Sequence, residues 1–154
     1  MALEAPPASS PAVHNVMVAN RSVNTKPEIL VRHMLRQAGL PGYRLHWRID
    51  DPVGRYVCRP DIAYPGRKVA IFVHGCFWHR CPECDLALPK SNVEYWSEKF
   101  ERNVERDREK EGALLGLGWD VHTVWECDIE TGAASAANAI FRALIQPTGT
   151  PKEG

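Results

Sequence analysis

Four cysteines set the tightest constraint on how this chain can fold. Cys76, Cys81 and Cys84 stand in a C-x4-C-x2-C run, and Cys127 follows at long range. Thiolates bind Zn2+ strongly and tetrahedrally, and a C-x-x-C turn offers two sulfurs to one ion. If the four share a metal, the fold must bring residue 127 back to the 76–84 segment. A closed four-sulfur set leaves no position for a reactive water, so such a metal would be structural. A redox C-x-x-C and plain buried thiols are the readings the spacing leaves open. The fifth cysteine, Cys58, lies in a strand-like run three residues before Asp61 and reads as a core thiol, although it could replace one of the four.

Hydrophobic periodicity supplies the elements between these anchors. Thr25-Lys26-Pro27-Glu28 has a capping-box pattern, and Leu30, Met34, Leu35 and Ala38 recur at helical spacing before Gly39. Tyr43 to Trp47 and Tyr56 to Tyr64 read as extended segments. A Pro65-Gly66 turn then leads into Val69-Ala70-Ile71-Phe72-Val73, a buried strand returning from a hairpin. A second capping box, Ser91-Asn92-Val93-Glu94, predicts a long helix to about Leu115, closed by Gly116 and Gly118. The stretch Trp119 to Trp125 alternates as a strand, with Cys127 just past its end, and Thr131 to Ile145 predicts an Ala-rich helix. The class is α/β. One domain over 21–146 is expected, with a mobile arm at 1–20 and a frayed tail at 147–154.

At 154 residues, this chain can bury one core, removing roughly 70% of its unfolded surface. No apolar run approaches the roughly 18 residues needed to cross a bilayer, and MALEAPPASS lacks the pattern of a secretory signal, so the expected location is cytoplasmic, without a membrane partner. Nineteen basic residues balance nineteen acidic ones, so no global field draws the protein to nucleic acid.

The chemistry concentrates around one strand end. Asp61 of Arg59-Pro60-Asp61 would be a mere turn residue by itself, but the hairpin carries it toward Val73, His74 and His79. A carboxylate beside a backbone carbonyl can hold Mg2+ on hard oxygens, and histidines nearby complete a set for phosphodiester hydrolysis. On the long helix, Trp96, Phe100, Asn103, Asp107, Lys110 and Leu114 succeed one another by threes and fours and so share a face. A carboxylate there needs a partner, either a core arginine or something functional. Glu101-Arg102, Glu105-Arg106 and Arg108-Glu109 read as a solvated face. Phe77-Trp78 lie in a loop between a thiol ligand and a histidine, where they could be core residues or a wedge for a base stack.

These residues together resemble the very short patch repair (Vsr) endonucleases, bacterial enzymes that nick DNA beside a T:G mismatch. The resemblance runs from about Arg21 to Cys127. It rests on NTKPEILVRHMLRQAG, YRLHWR, RPDIAY, AIFVHGCFWH, EYWSEKFERNVERDR and LGWDVHTVWEC. It implies a PD-(D/E)xK-type, restriction-endonuclease-like core, a central mixed β-sheet flanked by α-helices with a structural zinc site, and a histidine-containing centre in place of the usual lysine. It implies Asp61 and the Val73 carbonyl as Mg2+ ligands, and His74 and His79 at the scissile phosphate, with His79 activating water. Asp107 would orient that histidine, and Glu28 would lie at the edge of the metal site, competing with its capping role. Phe77 and Trp78 match the family's intercalating aromatics. Val73 stands where the family often has threonine, and Cys81 where relatives commonly use histidine. Zn2+ would then sit on Cys76, Cys81, Cys84 and Cys127. The implied partner is double-stranded DNA carrying a T:G mismatch left by deamination of 5-methylcytosine, bound by a monomer. A Vsr-like nuclease of broader or different specificity, of defence or homing type, and a non-catalytic zinc-stabilised DNA-binding module are the competing readings.

Overall fold

The computed structural model describes residues 24–130 together with Ile140, Arg142 and Leu144. The expected arm at 1–20, the tail at 147–154 and, apart from those three helical residues, the Ala-rich helix lie outside the described residues. The elements in chain order are α1 (Lys26–Gln37), β1 (Arg44–Leu45), β2 (Ile49–Asp50), β3 (Tyr56–Cys58), β4 (Ile62–Tyr64), β5 (Val69–His74), α2 (Cys76–His79), α3 (Val93–Gly116), β6 (Asp120–Trp125) and α4 (Glu126–Glu130). One 3-10 turn, Pro65–Arg67, joins β4 to β5.

The run Val69–Val73 builds the centre of the molecule. Its β-branched and aromatic residues suit a strand covered on both faces, and β5 lies inside a four-stranded sheet of order β1-β4-β5-β6. Antiparallel pairing with β4 sets Ile62 opposite Ile71 and Tyr64 opposite Val69. On its other edge β5 pairs in parallel with β6, bringing His74 opposite Trp125. The sheet is therefore mixed, as expected. Side chains alternate across it. Val69, Ile71 and Val73 join Val31 and Leu35 of α1, Val124, Ile140 and Leu144. Ala70 turns to the opposite face, with Ile49, Cys58 and Leu114 of α3. Ile62, Ile71 and Leu114 are completely buried, and each contributes about 1.5–3 kcal/mol by leaving water.

Several boundaries differ from the sequence reading, each for a local reason. The expected segment Tyr56 to Tyr64 breaks at Arg59-Pro60-Asp61, because proline has no N–H to donate to a ladder. As a result β3 pairs with β2 in a separate ribbon, while β4 joins the main sheet. Tyr43 to Trp47 shrinks to two paired residues, since His46 adopts φ 50°. Neither capping box forms its hydrogen bonds. Thr25 is the N-cap of α1, but its hydroxyl donates to Glu28 Oε1 at 3.2 Å and caps no backbone N–H. The α3 N-cap is Asn92 at φ 53°, not Ser91. The segment expected as a loop at Cys76–His79 is one helical turn, ended by Arg80 at φ 54°.

Candidate active site

The C-terminal end of β5 gathers most of the titratable groups singled out in the sequence. Asp61 immediately precedes β4, the strand beside β5, and its Oδ2 accepts the Val73 N–H at 2.8 Å. Burial pushes the Asp61 carboxyl above its ordinary range, the Val73 N–H pulls it back, and the negative charge of Glu28 raises it again. No lysine or arginine among the described residues forms an ion pair with Asp61. A buried carboxylate facing another carboxylate, with histidines nearby but no lysine or arginine paired to it, suits a divalent cation. The sparse oxygen set suits one that retains much of its own water.

The next residue on β5 is His74, and α2 swings His79 back over it. The two imidazole rings stack with centroids 3.9 Å apart and an interplanar angle of 5°. Asp107 reaches both from α3: His79 Nδ1 lies 2.6 Å from its Oδ2, and His74 Nε2 is 4.0 Å from its Oδ1. Asp107 thus meets a histidine pair in place of the core arginine considered from sequence. Two stacked imidazoles cannot both charge at low cost. Burial, reinforced by His79, holds His74 down to about 4, so it is neutral at pH 7. Its Nδ1 is buried without a hydrogen-bond partner among the described residues. The Asp107 carboxyl, which burial alone would raise, is held below its ordinary range by its bond to His79 and by the charge of His79.

Glu28 is buried and accepts from Thr25 and, at 3.2 Å, from Arg32. It lines the same cleft as Asp61, His74, His79 and Asp107, a space of about 670 Å³. Phe77 and Trp78 line that cleft too, from within an aromatic cluster. Trp78 is 7% exposed against Trp96 and Phe100, and Phe77 is half-buried with its ring 5.2 Å from that of Phe100. Asn103 anchors the turn by donating to the Trp78 carbonyl at 3.1 Å. Lys99, which the sequence reading passed over, stands over the rings of Tyr95, Trp96 and Trp78 at 5.2–5.7 Å. Its i+3 and i+4 spacing from Trp96 and Tyr95 was the available signal.

The cysteines Cys76, Cys81, Cys84 and Cys127 converge, with all four sulfurs within 4.8 Å of one another. None is in a disulfide, and Cys58 stays apart as a fully buried core thiol. Cys81 and Cys127 Sγ are 3.7 Å apart, close to the edge of about 3.8 Å of a tetrahedron with 2.3 Å bonds to sulfur. Burial pushes Cys76 and Cys127 up to about 11, and a side-chain hydrogen bond with Cys127 does the same to Cys84. Cys81, raised by its own burial, is drawn down overall by backbone N–H groups of Cys84 and Glu83. Four thiols packed this closely can hold a metal, and a cation would relieve the mutual cost of ionising them.

A mixed α/β protein with a His–Asp pair and a second, buried carboxylate in one cleft has the arrangement of an acid–base enzyme. A family model described as DNA mismatch endonuclease Vsr matches residues 11–85. The chain is 43% identical to the type II nicking enzyme V.XorIIP of Xanthomonas oryzae pv. oryzae, over 83% of this chain and 88% of that one. It is 42% identical to the type II nicking enzyme V.NmeAIP of Neisseria meningitidis, over 77% and 79% respectively. Against the DNA mismatch endonuclease Vsr of Escherichia coli it is 41% identical, over 57% of this chain and 55% of that one. The chain belongs to the Vsr family of DNA endonucleases. No helix among the described residues is long and apolar enough to cross a membrane.

Proposed function

We propose that this protein, as a single domain over 21–146 with a PD-(D/E)xK-type core, nicks one strand of duplex DNA next to a T:G mismatch in a Mg2+-dependent reaction. The observation that carries this reading is the 2.6 Å contact of His79 with Asp107 in the same cleft as Asp61. In this reading Asp61 and the Val73 carbonyl would hold Mg2+, with Glu28 at the edge of the site, and a cation bound there would supply charge neutralisation at the scissile phosphate. Asp107 accepts a hydrogen bond from His79 Nδ1–H, which leaves Nε2 as the basic nitrogen. That nitrogen takes a proton from water as the water oxygen bonds to phosphorus and the P–O bond to the leaving sugar oxygen breaks. His74, neutral and stacked on His79, keeps the ring oriented toward the phosphate. Phe77 and Trp78 enter the base stack at the mismatch. Cys76, Cys81, Cys84 and Cys127 would hold a structural Zn2+, which would fasten α2 to the start of α4 and so keep His79 in register.

The test is nicking of matched T:A and mismatched T:G duplexes with Mg2+, by wild type and by Asp61→Ala and His79→Ala. Nicking of T:G alone, lost in both variants, is the expected result. Equal cutting of both duplexes would remove the mismatch assignment, and wild type that cuts neither would remove the nuclease reading. The relatives named as type II nicking enzymes favour a second reading, a Vsr-like nuclease of different specificity serving a defence system. A cleavage profile on mixed sequences separates the two.

A further inference from the structure

With nineteen cations against nineteen anions, this protein has no overall charge to hold DNA, so affinity must come from where its cations stand. The cleft makes the requirement sharper. Glu28, Asp61, Asp107 and Glu126 all line it, and a phosphate backbone would be repelled there without local positive charge. Three basic side chains line the same cleft from three different elements. Lys26 begins α1, Arg59 lies two residues before Asp61 in the β3–β4 link, and Lys110 follows Asp107 by one turn of α3. All three are exposed.

Their common property is that they are uncommitted. Arg32, Arg48, Arg55 and Arg102 each pair with a carboxylate. Lys26, Arg59 and Lys110 form no ion pair or hydrogen bond among the described residues, although four carboxylates line the cleft beside them. Lys110 is near enough for its charge to be felt at both Asp107 and His74. Exposed cations that make no pair with the carboxylates beside them are free to meet an anion arriving from outside.

Building on the nuclease reading above, we propose that Lys26, Arg59 and Lys110 form a phosphate clamp that holds the DNA backbone at the scissile site. Each binds a backbone phosphate as a charge contact. The clamp positions the duplex over Asp61 and His79 and carries no information about the bases.

The experiment measures binding of fluorescent T:G and T:A duplexes by the full chain in Mg2+-free buffer across a series of NaCl concentrations. Wild type is compared with Lys26→Gln, Arg59→Gln, Lys110→Gln and the triple variant. Lys68→Gln is the control, because Lys68 precedes β5 at the end opposite His74, roughly 20 Å away along the strand. The slope of log affinity against log salt should flatten by about 0.9 for each clamp residue removed. T:G and T:A affinities should fall by the same factor, with Lys68→Gln and all melting temperatures unchanged. Unaltered slopes in variants that still bind DNA would overturn the clamp and leave the nuclease reading standing, as would equal flattening in Lys68→Gln or a loss confined to T:G. Wild type that neither binds nor nicks any duplex would overturn both.

Discussion

Asp107 on α3 holds His79 at the end of α2 through a contact of 2.6 Å, although 28 positions of sequence separate them. The contact depends on two independent pieces of folding. The aromatic face of α3, with Trp96 and Phe100 buried, fixes where Asp107 emerges. The turn that carries His79 is held by Asn103 at the Trp78 carbonyl and by the cysteine cluster behind it. The pair is thus set by packing, and neither residue could be moved without disturbing the aromatic core.

If that contact fixes the tautomer of His79, Asp107→Asn should be more damaging than its size suggests. An amide can donate to Nδ1 and so place the proton on the wrong nitrogen. Single-turnover nicking of a T:G duplex should fall about 10²–10⁴-fold while duplex affinity stays within a factor of a few. Because the two residues act as a unit, adding His79→Ala should cost little more. A double variant with fully multiplied losses would show that Asp107 acts elsewhere.

The four converging thiols give a stability prediction that does not involve activity. Purified protein should carry one Zn2+ per chain by elemental analysis, and Cys127→Ser should lose it, since Cys127 is the only one of the four outside the 76–84 segment. Structural zinc contributes on the order of 10 kcal/mol, so that variant should melt far lower or fail to fold. Cys58→Ala should keep the metal and lose only the packing of a small core residue. A zinc-replete, fully stable Cys127→Ser would mean that the fourth ligand is a different residue.

Much of this site was legible because its signals are local or periodic. The α3 face from Trp96 to Leu114 and the Pro65-Gly66 hairpin each encode one element, and the cysteine spacing marks residues that the structure brings within 4.8 Å of one another. What escaped was decided by tertiary context. Pro60 sits fully buried at a break between two sheets, which no propensity distinguishes from a strand end. The Thr25 hydroxyl prefers the buried Glu28 carboxylate to a backbone amide, so a capping-box pattern yields a different bond. The stacking of His74 on His79 comes from a helical turn too short to leave a period in the sequence.

Phe77 and Trp78 should separate when mutated one at a time. Trp78 packs against Trp96 and Phe100 at 7% exposure, so Trp78→Ala should cost about 3–5 kcal/mol of stability by denaturant melt. Phe77 is half-buried at the cleft and would leave its neighbours at lower cost. In the wedge reading, Phe77→Ala keeps most of the stability but loses the preference for T:G over T:A, measured by unstacking of a fluorescent base beside the mismatch. Wild-type unstacking by Phe77→Ala would assign the wedge to Trp78 or abolish it.

Tyr64 offers a pH signature of the fold itself, through a hydroxyl outside the His–Asp pair and the cysteine cluster. Its hydroxyl donates to the Leu40 carbonyl at 2.7 Å, tying β4 to the chain just after α1. Burial, with Tyr43 alongside, pushes its pKa up to about 12 from an ordinary value near 10. The folded state therefore favours the neutral phenol. The stability this provides is fully present below pH 10, and it is lost as pH rises from about 10 through 12, where the unfolded chain releases the proton first. Tyr64→Phe should cost about 1 kcal/mol at neutral pH for the missing hydrogen bond. Its urea midpoint should also decline less steeply than that of wild type between pH 10 and 12. Parallel declines in the two proteins would place the alkaline titration at another group.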